Sequence, residues 1–171
     1  SFWVFSGDEV ELKITDRDSP SILILASDPG TQDINSALYS AVLNRTLRLI
    51  NSKHNLPGGI IADEFPTIYI HKIDNVVATA RSNRVAVLLG LQEIPQLRQF
   101  YKKEVADTIS AIVGNILSGS ARDKNTLDWL EKLFGKIKQK SFSQSISQQG
   151  TTTSINEKMD FMIPAGKIAA L

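Results

Sequence analysis

The stretch Gly58-Gly59-Ile60-Ile61-Ala62-Asp63-Glu64-Phe65-Pro66 (GGIIADEFP) sets two carboxylates directly behind an apolar run and closes on a proline. Pro57-Gly58-Gly59 breaks whatever precedes it, and Ile60 to Ala62 reads as a strand. Pro66 has no N–H to give to a central ladder, so the strand stops close to the acids. Asp63 and Glu64 therefore stand at a strand's carboxyl end, which is where ligands gather in open parallel sheets.

The chain on either side supports that sheet. Ser21 to Ala26 (SILILA) is a short apolar run bounded by Pro20 and the turn group Asp28-Pro29-Gly30, the pattern of a buried parallel strand. From Thr31 to about Asn51, Ile34, Leu38, Ala41, Val42 and Leu49 recur at helical spacing, with Thr31 or Asp33 available to cap the start. A second helix is expected from about Ile70 to Ser82. Val85 to Leu91 (VAVLLGL) is the most apolar run and reads as a central strand buried on both faces, with Gln92 at its carboxyl end. Helices are expected over Pro95–Phe100 and Val105–Val113, and a short strand around Ile116 and Leu117. A helix follows from Asn125 to Phe134, with Asn125 and Asp128 as a capping pair and Gly135 closing it. Between Lys138 and Lys158 Ser, Gln and Thr dominate, and the alternation in SFSQSIS favours an exposed hairpin over a disordered linker. Strands alternating with helices argue for an α/β fold with a mainly parallel sheet flanked by helices.

Composition sets the outer bounds. At 171 residues, 42% hydrophobic and 22% charged, the chain is long enough for one buried core and reads as a single globular domain. No apolar run approaches the roughly 20 residues that span a bilayer, and the first residues lack a signal peptide's basic start. Cysteine is absent, which excludes disulfides and thiolate metal sites, and His54 and His71 have no ligand-like spacing. A start without Met and an end on KIAAL suggest an excised fragment. The net charge of +1 hides an asymmetry: residues 1 to 35 carry seven acids against Lys13 and Arg17, whereas residues 122 to 140 lean basic. That basic stretch reads either as a solvated face or as a phosphate contact.

An apolar strand ending in Asp-Glu is the Walker B pattern, in which the aspartate holds Mg²⁺ and the glutamate orients or deprotonates water. The bland alternative is a strand ending at a solvated acidic turn. In ARSNRVAVLLGLQ, residues 80 to 92, two arginines precede a strand and a glutamine follows it. Gln92 can donate and accept without adding charge, which suits it to sensing a γ-phosphate, and Arg81 or Arg84 could reach a neighbouring subunit's nucleotide. Each also reads as ordinary strand-end polarity or a surface cation. No GxSxG supports a hydrolase triad, and Trp3, Tyr101, Trp129 and Phe134 fit core or helix packing better than base stacking.

Taken together, residues 58 to 101, and beyond them Phe2 to the last residue, resemble the TraG/TraD-type coupling ATPases of bacterial conjugation (type IV secretion coupling proteins), most closely the Bacteroidetes-like versions. The family's Walker B is matched by Asp63 and Glu64, its helix-borne arginine by Arg81 and its motif-three glutamine by Gln92. The stretch SINEKMDFMIPAGKIAAL also looks like the family's polar hairpin leading to a Pro-Ala-x-Lys-Ile turn. Where the family often carries a serine after the glutamine, this chain has Glu93, Ile94 and Pro95.

The resemblance implies a partial RecA-like P-loop NTPase fold over residues 1–171, with a hairpin extension at 137–162. It implies ATP and Mg²⁺ as cofactors of the complete protein. It further implies a membrane-anchored ring, usually a hexamer, at the cytoplasmic face of the bacterial inner membrane, moving single-stranded DNA and its relaxase towards a type IV secretion channel. Asp63 would handle Mg²⁺, Glu64 activate water, Gln92 read the γ-phosphate and Arg81 reach across the subunit interface. The phosphate loop GxxxxGK[ST] is missing: GNILSGSA (114–121) has Ser120 where lysine belongs, and FGKIK lacks the first glycine. The fragment is thus expected to be inactive alone. Rival readings are a non-catalytic α/β interaction module and an FtsK/HerA-type double-stranded DNA translocase.

Overall fold

Apolar residues at helical spacing make Gln32–Ile50 a helix, α1, whose inner side carries Leu47 and Ile50 into the core. Its N-cap is Thr31, which makes no side-chain capping bond, and the side chain of Asp33, the other expected cap, lies outside what the structure describes. The computed structural model describes residues 6–7, 9–28, 30–147 and 150–171, which fall into two units, Ser1–Asn115 and Ile116–Leu171. Trp3 lies outside the described residues.

In the first unit, β1 (Gly58–Ala62) pairs in parallel with β2 (Val85–Leu89), from Gly58 opposite Val85 to Ala62 opposite Leu89. A parallel pair needs a crossover, and here it consists of a 3-10 turn at Phe65–Thr67, α2 (Ile73–Ala80) and a second 3-10 turn at Arg81–Asn83. Ile60, Val85, Val87 and Leu89 face the core. The other face does not: Ile61 is 80% and Leu88 58% exposed, so β2 is buried on one face and not on both as its sequence suggested.

Residues 21–28 also depart from expectation. They form no strand, and Ile22 and Ile24 are exposed while Leu23 and Leu25 are half-buried. The start of the segment is held by the Ser21 N–H donating to the Ile14 carbonyl at 3.0 Å. An apolar run records side chains that favour leaving water, but a strand also needs a ladder partner, and among the described residues β1 pairs only with β2.

α3 spans Ile94–Ile112 with a break at Lys102 (φ 61°, ψ 160°), which matches the two helices expected there. Arg98 from one half donates through Nε and Nη2 to Oδ1 of Asp107 on the other, across that break. Tyr101, just before it, is the central packing residue. Its ring stacks on Phe65 at 4.8 Å and on Tyr69 at 5.3 Å, centroid to centroid. Its hydroxyl donates to the Ile68 carbonyl at 2.8 Å and accepts from the Ile70 N–H at 2.9 Å. Burial pushes the phenol's pKa above its ordinary value, so it stays protonated and available as that donor.

In the second unit α4 (Lys124–Phe134) starts at Asp123, whose carboxylate accepts from the Thr126 N–H at 3.0 Å. The cap is therefore Asp123 rather than the Asn125–Asp128 pair, because only the residue just outside the helix has the extended backbone that turns its side chain onto the free N–H groups. Gly135 ends the helix at φ 74°, as expected of a C-terminal glycine. Leu130 packs with Ala121 and with Ile168 of α5 (Ala165–Ala169), and Trp129 lies against them. Phe134 is 40% exposed and does not belong to that core. Ile116 and Leu117 form no strand, and Leu117 is 96% exposed for want of a ladder partner. Between α4 and α5, β3 (Lys136–Ser147) and β4 (Gly150–Phe161) make the expected antiparallel hairpin. Among the described residues no helix is long and apolar enough to cross a membrane.

Replacing Tyr101 with phenylalanine keeps the stacking but strands the Ile68 carbonyl and the Ile70 N–H. The expected loss of stability is about 1–3 kcal/mol in urea unfolding, and an unchanged midpoint would show that the hydroxyl does not hold this loop.

Candidate functional site

The two strands are laced together past their ends. The Gly90 N–H donates to the Ala62 carbonyl and the Phe65 N–H donates to the Gly90 carbonyl, both at 2.8 Å. Between those bonds sit Asp63 and Glu64, and just beyond them Gln92. A side chain at position 90 would put its Cβ 3.1 Å from Asp63 Oδ1 and 3.5 Å from the Ala62 carbonyl oxygen, so this glycine allows the close approach.

Asp63 turns its Oδ1 back to accept from the Glu64 N–H at 3.0 Å. Glu64 then takes the left-handed conformation (φ 47°, ψ 43°), rare for a residue with a side chain, and leads into the 3-10 turn. Its carbonyl accepts from both the N–H and the hydroxyl of Thr67 at 2.9 Å. Buried Phe65 and Pro66 anchor the turn against Tyr101, which leaves both acid side chains exposed above it. Gln92 Nε2 donates to Glu64 Oε1 at 3.4 Å, a long bond that ties glutamine to glutamate at the same sheet edge.

Three of the four residues singled out in the sequence thus meet at one edge, and Arg81 does not. It is exposed on the turn before β2, at the opposite end of a strand that is roughly 13 Å long. Arg84, in the left-handed region at φ 58°, instead directs its guanidinium to the Asn55 carbonyl. Sequence reasoning missed Gly90, Thr67 and the Tyr101 hydroxyl. A lone glycine interrupting VAVLL-G-LQ was the available signal for Gly90, because such a glycine marks a close backbone approach.

Among the described residues no group of three or more His, Cys, Asp or Glu side chains converges. An edge with one or two carboxylates still suits Mg²⁺, which commonly takes that many protein ligands and completes its shell with phosphate and water.

Residues 57–171 match the family described as the TraM recognition site of TraD and TraG. The chain belongs to this TraG/TraD family. Solved structures give the same fold. TrwBΔN70, a bacterial conjugative coupling protein in its unbound monoclinic form, superposes with a TM-score of 0.66 at 16% identity, covering 85% of this chain. The plasmid coupling protein TrwB with the GTP analogue GDPNP gives 0.70 at 18% identity over 93%, and TrwB with ADP and Mg²⁺ gives 0.68 at 17% over 96%. The TraG/TraD chain spans only 34–38% of those three TrwB chains. No curated protein sequence matches it. The matched segment of this TraG/TraD chain opens at Pro57, directly before β1, and so takes in Asp63, Glu64, Arg81 and Gln92.

The left-handed Glu64 backbone gives a test independent of activity. Glu64→Gly should match or exceed the parent's stability, whereas Glu64→Val should lower it by more than about 1 kcal/mol. Equal unfolding midpoints for the two variants would contradict this backbone geometry.

Proposed function

We propose that this chain is the carboxyl-side portion of the motor domain of a conjugation coupling protein and carries one half of an ATP–Mg²⁺ site. The observation that carries the proposal is the meeting of Asp63, Glu64 and Gln92 at the carboxyl edge of a parallel βαβ unit, laced shut by Gly90. Family membership and the fold shared with TrwB, which has been solved with ADP and Mg²⁺ and with nucleotide analogues, support it.

In this reading Asp63 holds the metal ion, which when bound offsets phosphate charge. Glu64 orients a water and takes its proton, a role worth about 10²- to 10⁴-fold in rate. The Gln92 amide, already beside Glu64, gives and accepts hydrogen bonds at the terminal phosphate and so relates that carboxylate to the nucleotide's state. Arg81, at the far end of the sheet, acts on a neighbouring subunit's nucleotide, where an arginine is worth about 10³ to 10⁵ in rate. The phosphate-cradling loop belongs to a part of the protein outside this sequence.

The two units form one partial RecA-like domain in this scheme, with residues 137–162 as its hairpin extension. The complete protein is a membrane-anchored hexameric ATPase at the cytoplasmic face of the inner membrane. It hands relaxase-bound single-stranded DNA to a type IV secretion channel.

Purified alone with Mg-ATP, the chain should release no phosphate above its Glu64→Gln variant; Glu64-dependent turnover would refute the half-site reading. In the complete protein Glu64→Gln should lower kcat at least about 10²-fold while nucleotide still binds. Mixing Arg81→Ala subunits with Glu64→Gln subunits should restore part of the activity. No recovery on mixing would place Arg81 outside the site.

A further inference from the structure

The turn that carries Arg81 is anchored at its two ends and bare between them. Ala80 before it is buried, as is Val85 after it, and both pack against Ile50 of α1. No residue of the turn itself, Arg81–Asn83, is buried. The Arg81 guanidinium is exposed and makes no hydrogen bond or ion pair among the described residues. Arg84, by contrast, is committed to the Asn55 carbonyl.

A single carboxamide holds the turn from outside. Asn83 Nδ2 donates to Asn51 Oδ1 at 2.7 Å and to the Asn51 carbonyl at 3.2 Å. Asn51 Nδ2 in turn donates to Thr79 Oγ1 at 2.7 Å. The Thr79 hydroxyl gives its own proton to the Asn75 carbonyl at 2.7 Å, so Asn51 must present nitrogen to Thr79 and oxygen to Asn83. Thr79 and Asn83 stand two residues to either side of Arg81, and one amide grips both.

That amide is not needed to finish its own helix. The last carbonyls of a helix require donors from outside its ladder. Those of Leu49 and Ile50, at the end of α1, accept from Asn55 Nδ2 at 2.6 and 3.3 Å. Asn55 thus serves the helix end, and the Asn51 side chain is directed wholly to the segment around Arg81.

We propose that Asn51 is a positioning residue for Arg81, fixing through Thr79 and Asn83 the turn from which that guanidinium reaches a neighbouring subunit's nucleotide. The proposal rests on the reading of Arg81 given above. An arginine side chain has several flexible bonds, so its reach is only as exact as the backbone beneath it. A misplacement of about 1 Å costs about 10²-fold in rate where geometry governs. Asn51 touches no reacting group, and its loss leaves Asp63, Glu64 and Gln92 in place while freeing the turn.

Steady-state ATPase kinetics of the complete protein test it. Asn51→Ala should lower kcat at least about tenfold and change the KM for ATP less than about twofold. Asn51→Asp keeps the acceptor for Asn83 and should lower kcat less. Asn83→Ala breaks the same bond from the turn's side without touching α1, and should reproduce the Asn51→Ala pattern. Combining Asn51→Ala with Arg81→Ala should be no slower than Arg81→Ala alone, because placement is immaterial once the guanidinium is gone. Asn51→Ala subunits should recover activity when mixed with Glu64→Gln subunits, but not with Arg81→Ala subunits. Circular dichroism confirms that each variant is folded. Unchanged kcat in both Asn51→Ala and Asn83→Ala, or losses that multiply in the double variant, would overturn the role of Asn51 and leave that of Arg81 standing. An Arg81→Ala protein as fast as wild type would overturn both.

Discussion

Two hydrogen bonds at Gly90 set the geometry on which the candidate site depends. One continues the ladder a residue beyond β1, and the other bends the chain after Glu64 back towards β2. Because the same peptide neighbourhood gives both, the acid pair and Gln92 cannot drift apart without breaking backbone bonds that are partly shielded from water. The loop below is held with equal economy by the Tyr101 hydroxyl and by the stacking of Phe65 and Tyr69 on its ring. Site precision here comes from buried groups under the acids rather than from contacts among the acids themselves.

The sequence disclosed the local features and was less informative about partners. Asp63, Glu64 and Gln92 could be placed at strand ends because Gly, Pro and apolar periodicity punctuate the chain where the backbone must change course. The break in α3 at Lys102 falls in the interval left between the two helices expected over residues 95–100 and 105–113. What failed were the runs at 21–26 and 116–117 and the second buried face of β2. In each case composition correctly marked side chains that favour an apolar setting, yet no neighbouring element among the described residues supplies it. The cap of α4 was expected at Asn125, two positions past Asp123, since cap identity depends on where the backbone leaves helical angles and not on residue type alone.

The family match and the shared fold carry different weight. The first covers most of the chain and includes every residue singled out at the site; the second, at 16–18% identity, speaks of architecture. The site's internal asymmetry follows from that architecture. Parallel strands put all carboxyl ends on one side, so Arg81, which precedes β2, is held away from Glu64 and Gln92, which follow the strands.

The uncovered face of the parallel sheet has a thermodynamic consequence. Ile61 and Leu88 hold hydration water over apolar surface that most parallel sheets hide. Any element that comes to lie over them releases that water, and the association carries a negative heat-capacity change in proportion to the apolar area covered. The sheet thereby has its own calorimetric signature, set by two side chains and independent of whatever charge is exchanged elsewhere on the surface.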